Sequence, residues 1–203
     1  MKFRFRVKDS MFKKSSFTRR VGRVHQGREE QRVRDLGLTG DGNAPFPSLF
    51  LNNKNMKTIE DTRIQFLPGL GEKPKEYKRL SKYLKILDIN WNTGKITPPI
   101  EKTDILIGFS MGAILACEYA LKHKVKNLIL CSMTTGVESL EKVKANNIIF
   151  LVGEKEKWVI KDTLRISAPL KNKEIHVIPN GDHKIEKNYQ KKLLEIIDQL
   201  SIK

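Results

Sequence analysis

Ser110 stands at the centre of Gly108-Phe109-Ser110-Met111-Gly112, a G-x-S-x-G pentapeptide. A serine flanked this way can act as a nucleophile toward a carbonyl carbon, provided the backbone lifts its hydroxyl clear of its neighbours. The apolar run 104–107 before it reads as a buried strand, and the run 113–121 after it reads as a helix. Strand, sharp turn with serine at the apex, then helix is the geometry of a nucleophile elbow. Glycines two residues to either side allow the tight turn, because a Cβ there would collide with the neighbouring strand or helix. The bare pentapeptide arises by chance in roughly one chain in fifteen of this length, so the flanking elements carry the specificity.

An acyl-transferring serine needs a base, a group that orients the base, and donors for the developing oxyanion. His183 is the candidate base. It lies in Pro179-Asn180-Gly181-Asp182-His183, between the last expected strand and the last expected helix, where functional residues of open α/β sheets collect. The other histidines fit less well: His25 is in the N-terminal arm, His123 ends a helix among lysines, and His176 is inside a strand. Glu156 is the candidate acid, in the loop Gly153-Glu154-Lys155-Glu156-Lys157 after the fifth strand; Glu154 is the neighbouring alternative. A solvated charge cluster is the plain structural reading of the same lysine-laced loop. The oxyanion donors are expected from backbone N–H groups. One is Met111, at the start of a helix where amides are unpaired and the dipole favours negative charge. The other is Leu70, in Pro68-Gly69-Leu70-Gly71 after the first strand.

Rival chemistries find less support. Gly69-Leu70-Gly71 could open a dinucleotide fingerprint, but the third glycine position is Pro74. No Walker A pattern occurs, and no cysteine–histidine cluster has zinc spacing, so neither a cofactor nor a metal is expected.

The elements that must position these residues alternate from Arg63 onward. Strands are expected at 64–67, 85–91, 104–109, 127–131, 148–152 and 174–178. Helices are expected at 75–84, 111–123, 138–144 and 187–200, the last with Leu193, Leu194, Ile196, Ile197 and Leu200 on its apolar side. Pro98-Pro99 leaves no room for a regular crossover helix before the third strand. Short continuous apolar strands alternating with helices predict a mostly parallel sheet of roughly six strands, covered on both faces as a three-layer α/β/α sandwich.

The 203 residues suffice for one domain with a tail, and no apolar run approaches the ~20 residues needed to span a bilayer. Cys117 and Cys131 sit in apolar contexts and read as buried fillers of a reducing, cytoplasmic compartment. The formal net charge of +16 is unevenly spread. Residues 1–55 contribute +8, with 8 Arg and 5 Lys, and residues 56–203 contribute +8 with 3 Arg and 23 Lys. The scattered lysines of the longer part read as a solvated surface. The Arg- and Gly-rich segment 1–55 differs in character from the rest of the chain. It is expected to be a disordered extension, or over-extended translation upstream of a true start at Met56; an Arg-rich targeting segment and a basic binding arm are the other readings.

Residues 62–203 resemble a small single-domain α/β-hydrolase. The resemblance rests on the elbow Gly108–Gly112, on the chain order Ser110, Glu156, His183, and on Pro68–Gly71 as the oxyanion loop. It implies a Ser–His–acid triad and hydrolysis of an ester, thioester or related acyl bond of a small-molecule substrate. Pro68 stands where that loop commonly has His, Glu156 where Asp is more frequent, and the usual leading antiparallel strands have no counterpart before Arg63. Only about fifteen residues separate the fourth and fifth strands, where larger members insert a lid. A lidless site is shallow and suits small soluble substrates.

Three readings are open. The first is a serine hydrolase with Ser110 as nucleophile, His183 as base and Glu156 as orienting acid. The second is a non-catalytic binding or accessory module on the same fold, which requires His183 Nε2 to lie beyond hydrogen-bond reach of the Ser110 hydroxyl. The third gives residues 1–55 a salt-dependent role with nucleic acid or an anionic membrane.

Overall fold

A computed structural model describes residues 63–133 and 140–201. The expectations for residues 1–55, and for the leading strands before Arg63, lie outside the described residues. Six of the apolar runs form strands of one sheet: β1 (Ile64–Leu67), β2 (Lys85–Ile86), β5 (Ile105–Phe109), β6 (Val125–Cys131), β7 (Ala145–Gly153) and β8 (Lys173–Ile178). They pair in the order β2-β1-β5-β6-β7-β8, with every neighbouring pair parallel. Two further strands, β3 (Asp88–Asn90) and β4 (Lys95–Thr97), form a separate antiparallel hairpin. The helices are α1 (Met111–Lys122), α2 (Lys157–Ser167) and α3 (Lys187–Ser201).

Period-two alternation assigns the sheet's side chains to two cores. Phe66, Ile105, Ile107, Phe109, Ile129, Cys131, Ile149 and Leu151 face one side, which Tyr77, Leu80 and Leu84 cover together with Tyr189, Leu193, Ile196 and Ile197 of α3. Leu67, Leu106, Leu128, Leu130, Ile148 and Phe150 face the other side, covered by Ala113, Ala116, Cys117 and Ala120 of α1, Ile89 of the hairpin, and Leu170. The sheet is therefore buried on both faces, as its near-continuous apolar strands require, and the architecture is the three-layer sandwich.

Three local expectations differ from what is observed. The segment 75–84 forms two 3-10 turns, Pro74–Tyr77 and Leu80–Lys82, in place of one helix. Its buried residues Tyr77, Leu80 and Leu84 keep helical spacing. The entry is tightened by Glu76, whose carboxylate accepts the Lys73 N–H at 3.0 Å. The expected strand 85–91 breaks at Leu87, whose N–H donates to the Phe66 carbonyl at 2.9 Å. Lys85–Ile86 stays in the main sheet, while Asp88–Asn90 turns away into the hairpin, closed through Gly94 at φ 67°. Of the expected helix 138–144, the described part is a single 3-10 turn, Leu140–Lys142.

Candidate active site

Parallel register brings the carboxyl ends of five strands to one rim. Leu67 pairs with Gly108, Phe109 with Cys131, Cys131 with Leu151, and Gly153 with Ile178. Each candidate residue follows one of these ends. The Ser110 N–H continues the ladder to the Cys131 carbonyl at 2.9 Å, and the Ser132 N–H does so to Leu151 at 2.7 Å.

Ser110 takes φ 52°, ψ −119°, the turned backbone of an elbow, directly before α1. Its flanking glycines are sterically required. A Cβ on Gly108 would lie 2.4 Å from Ala113 Cα, and one on Gly112 would lie 2.2 Å from the Leu67 carbonyl oxygen. The second approach seats the Pro68–Gly71 loop against the start of α1. Among the described residues, neither the Met111 N–H nor the Leu70 N–H donates to a protein acceptor. The Leu70 side chain is exposed. Glu72 braces this loop: its Oε2 accepts the Gly69 N–H at 2.6 Å and also the Tyr77 hydroxyl.

His183 reaches Ser110 across the rim. Its Nε2 lies 2.9 Å from Ser110 Oγ, and its Nδ1 lies 2.5 Å from Glu156 Oε1. A carboxylate only accepts, so Nδ1 carries the proton and Nε2 faces the serine hydroxyl as acceptor. The imidazole also packs on the Phe109 ring, with centroids 5.2 Å apart. Glu154, the alternative acid, is turned elsewhere: its Oε2 accepts the Asn180 N–H at 2.9 Å.

Glu156 is only 6% exposed, and its second oxygen is fully engaged. Oε2 accepts the Ser132 hydroxyl at 2.6 Å and the Gly153 N–H at 2.7 Å. Burial alone would push this carboxyl up; the hydrogen bonds from His183, Ser132 and Gly153 outweigh it and hold the group below its ordinary 4.5. His183 is shifted the other way. Its hydrogen bond to Glu156 outweighs desolvation and, with the nearby charges of Glu156, Glu72 and Asp182, raises it above its ordinary 6.5.

The structure thus brings Ser110, His183 and Glu156 into one hydrogen-bonded chain and leaves Glu154 out of it. Sequence reasoning missed Ser132, Tyr189, Phe109 and Glu72. Ser132 had a signal, since it follows a strand end as Ser110 does. Tyr189 had another, lying one helical turn before Leu193 on the apolar side of α3. Among the described residues no group of three or more His, Cys, Asp or Glu could hold a metal ion, and no helix is long and apolar enough to cross a membrane.

No protein-family model and no curated protein matches the chain. Solved structures do. Esterase PE8 superposes with a TM-score of 0.52 at 13% identity, over 68% of this chain and 92% of that one. SOBER1 of Arabidopsis thaliana gives a TM-score of 0.49 at 13% identity, over 70% and 99% of the two chains. A structure from a study of carboxylesterases of the thaumarchaeon Nitrososphaera gargenis gives 0.49 at 9% identity, over 71% and 92%. With its parallel six-stranded sheet and elbow, the described part of this chain has the fold of the α/β-hydrolases.

Proposed function

We propose that this protein is a serine hydrolase that cleaves an ester, thioester or related acyl bond of a small molecule. The observation that carries the reading is the unbroken chain from Ser110 Oγ through His183 to a buried carboxylate, with spacings of 2.9 and 2.5 Å. The fold it shares with esterase PE8 agrees with it. The non-catalytic reading needed His183 Nε2 out of reach of Ser110, and the 2.9 Å spacing counts against it.

In this mechanism Ser110 Oγ attacks the acyl carbon while His183 Nε2 takes the hydroxyl proton. The imidazolium that forms is stabilised by Glu156, already ionised and held by three donors. The charge on the carbonyl oxygen develops beside the Met111 and Leu70 N–H groups, the first at a helix N-terminus. His183 then delivers its proton to the leaving group, and the acyl group remains on Ser110. Water, deprotonated by the same Nε2, attacks the acyl-enzyme; the bond to Ser110 Oγ then breaks, the carboxylic acid leaves, and His183 returns the proton to the serine oxygen. Removing one oxyanion donor from such a site costs about 3 kcal/mol of barrier stabilisation.

The test is covalent labelling by a fluorophosphonate carrying a fluorophore. Wild-type protein is expected to label and Ser110→Ala is not. A folded wild-type protein that stays unlabelled would overturn the hydrolase reading.

A further inference from the structure

Glu156 is a longer acid than an aspartate, with one more rotatable bond, so something must fix its free oxygen for Oε1 to meet His183. Behind it runs a buried chain of hydroxyls. Ser132 Oγ lies 2.6 Å from Glu156 Oε2 and 3.0 Å from the Tyr189 hydroxyl, which lies 2.7 Å from the Leu151 carbonyl oxygen. Ser132 is fully buried, and Tyr189 is 1% exposed. We propose that Ser132 is a positioning residue for this site, its hydroxyl proton locking the Glu156 carboxylate in the orientation that holds His183 toward Ser110. The inference rests on the hydrolase reading above and adds to it a fourth required side chain.

Proton counting gives the chain its direction. Three oxygen–oxygen contacts link the two hydroxyls to their partners, and the hydroxyls supply two protons. The ionised carboxylate is the strongest acceptor in the set, so it takes the Ser132 proton. The Tyr189 proton is then shared between the Leu151 carbonyl and Ser132 Oγ. That carbonyl also accepts the Ser132 N–H at 2.7 Å, so it keeps a donor whichever way Tyr189 turns. The Tyr189 hydroxyl therefore supports Ser132, and of the two hydroxyls only that of Ser132 acts on the acid, beside the Gly153 N–H that shares Oε2 at 2.7 Å.

The backbone at Ser132 makes the proposal separable from a purely structural role. Ser132 takes φ 45°, in the left-handed region that favours glycine. Ser132→Gly deletes the hydroxyl and suits this backbone, whereas Ser132→Ala deletes it and does not. If the residue matters only for the turn, the glycine variant labels at least as fast as wild type and the alanine variant about as fast. If the hydroxyl positions Glu156, both lose function alike.

The experiment measures fluorophosphonate labelling rate, thermal midpoint and the downfield proton resonance of His183 Nδ1–H in wild type, Ser132→Gly, Ser132→Ala and Tyr189→Phe. Both Ser132 variants are expected to label about tenfold to a hundredfold more slowly, as loss of a hydrogen bond to a charged group implies. Their resonance should move or broaden, and the thermal midpoint of Ser132→Gly should fall less than that of Ser132→Ala, because glycine relieves the left-handed backbone. Tyr189→Phe should slow labelling by less than either. Ser132→Gly labelling at the wild-type rate with an unchanged resonance would overturn the proposal. Should wild type itself fail to label, the hydrolase reading falls; the resonance then decides the Ser132 claim alone, upheld if it differs between wild type and Ser132→Gly and rejected if it does not.

Discussion

Gly153 and Gly181 meet backbone to backbone. A Cβ on Gly153 would lie 2.6 Å from the Gly181 carbonyl carbon, and one on Gly181 would lie 3.0 Å from Gly153 Cα. This contact joins the loop carrying Glu156 to the loop carrying His183. It is stitched by Lys155 N–H to the Gly181 carbonyl at 2.9 Å and by Glu154 N–H to Ile178 at 3.0 Å. Alanine at Gly153 would force the two loops apart. Gly153→Ala is expected to cost about 1–3 kcal/mol in a urea melt and to slow fluorophosphonate labelling more than tenfold. A variant with wild-type stability and labelling would show that the contact positions nothing.

The two glutamates after β7 should separate cleanly. In the proposed mechanism Glu156→Gln removes the charge that stabilises the imidazolium and offers Nδ1 a different pattern of donors and acceptors. Labelling is expected to fall by about a thousandfold or more. Glu154→Gln keeps an acceptor for the Asn180 N–H, and its labelling is expected to stay within about threefold of wild type. Equal losses in the two variants would reassign the acid.

Across the titration of His183 the pH dependences of activity and stability should run in opposite directions. Only neutral His183 can accept the serine proton, so the labelling rate should climb with pH to a plateau, with a midpoint above 6.5. In Glu156→Gln the midpoint should drop, since the hydrogen bond that raises it has gone. Stability obeys linkage. The raised His183 contributes fully below 6.5 and loses its contribution as pH rises through its folded value. The lowered Glu156 contributes fully above 4.5 and loses its contribution as pH falls through its folded value. The thermal midpoint of wild type minus that of Glu156→Gln should therefore peak between pH 4.5 and 6.5, where labelling is slow. A difference that does not vary with pH would contradict the assigned shifts.

Glu72 offers a test of the loop that carries Leu70. Glu72→Ala leaves the Gly69 N–H and the Tyr77 hydroxyl without their shared acceptor. Labelling should fall about tenfold and stability by about 1–3 kcal/mol. Glu72→Gln retains an oxygen in the same place and should recover most of both. Failure of glutamine to recover either quantity would mean that the charge, and not the bracing, is what the loop uses.

Much of this was legible in the sequence because it depends on short-range pattern. Strands buried on both faces are continuous apolar runs, and β1, β5, β6, β7 and β8 lie where such runs predict them. Ser110, Glu156 and His183 were readable as candidates because each lies within a few residues of a strand's carboxyl end in a parallel sheet. The break at Leu87 was hidden because Leu87, Ile89 and Trp91 alternate with polar residues directly after Ile86, so the run reads as one strand although its two halves serve different sheets. The 3-10 turns were hidden because Tyr77, Leu80 and Leu84 keep the spacing of a helix. Ser132 with Tyr189, and Gly153 with Gly181, depend on contacts 57 and 28 residues apart, which no local pattern encodes.

The turned backbone at Ser110 sets a conflict between durability and reactivity. A non-glycine residue at φ 52° carries a conformational cost of order 1–3 kcal/mol that the surrounding packing must offset. Ser110→Gly relaxes it, Ser110→Ala does not, and both remove the hydroxyl proposed as nucleophile. The glycine variant should therefore melt higher than wild type while being inert, and the alanine variant should not. Selection for thermal robustness alone would discard this serine, so its presence in so costly a conformation agrees with the role proposed for it.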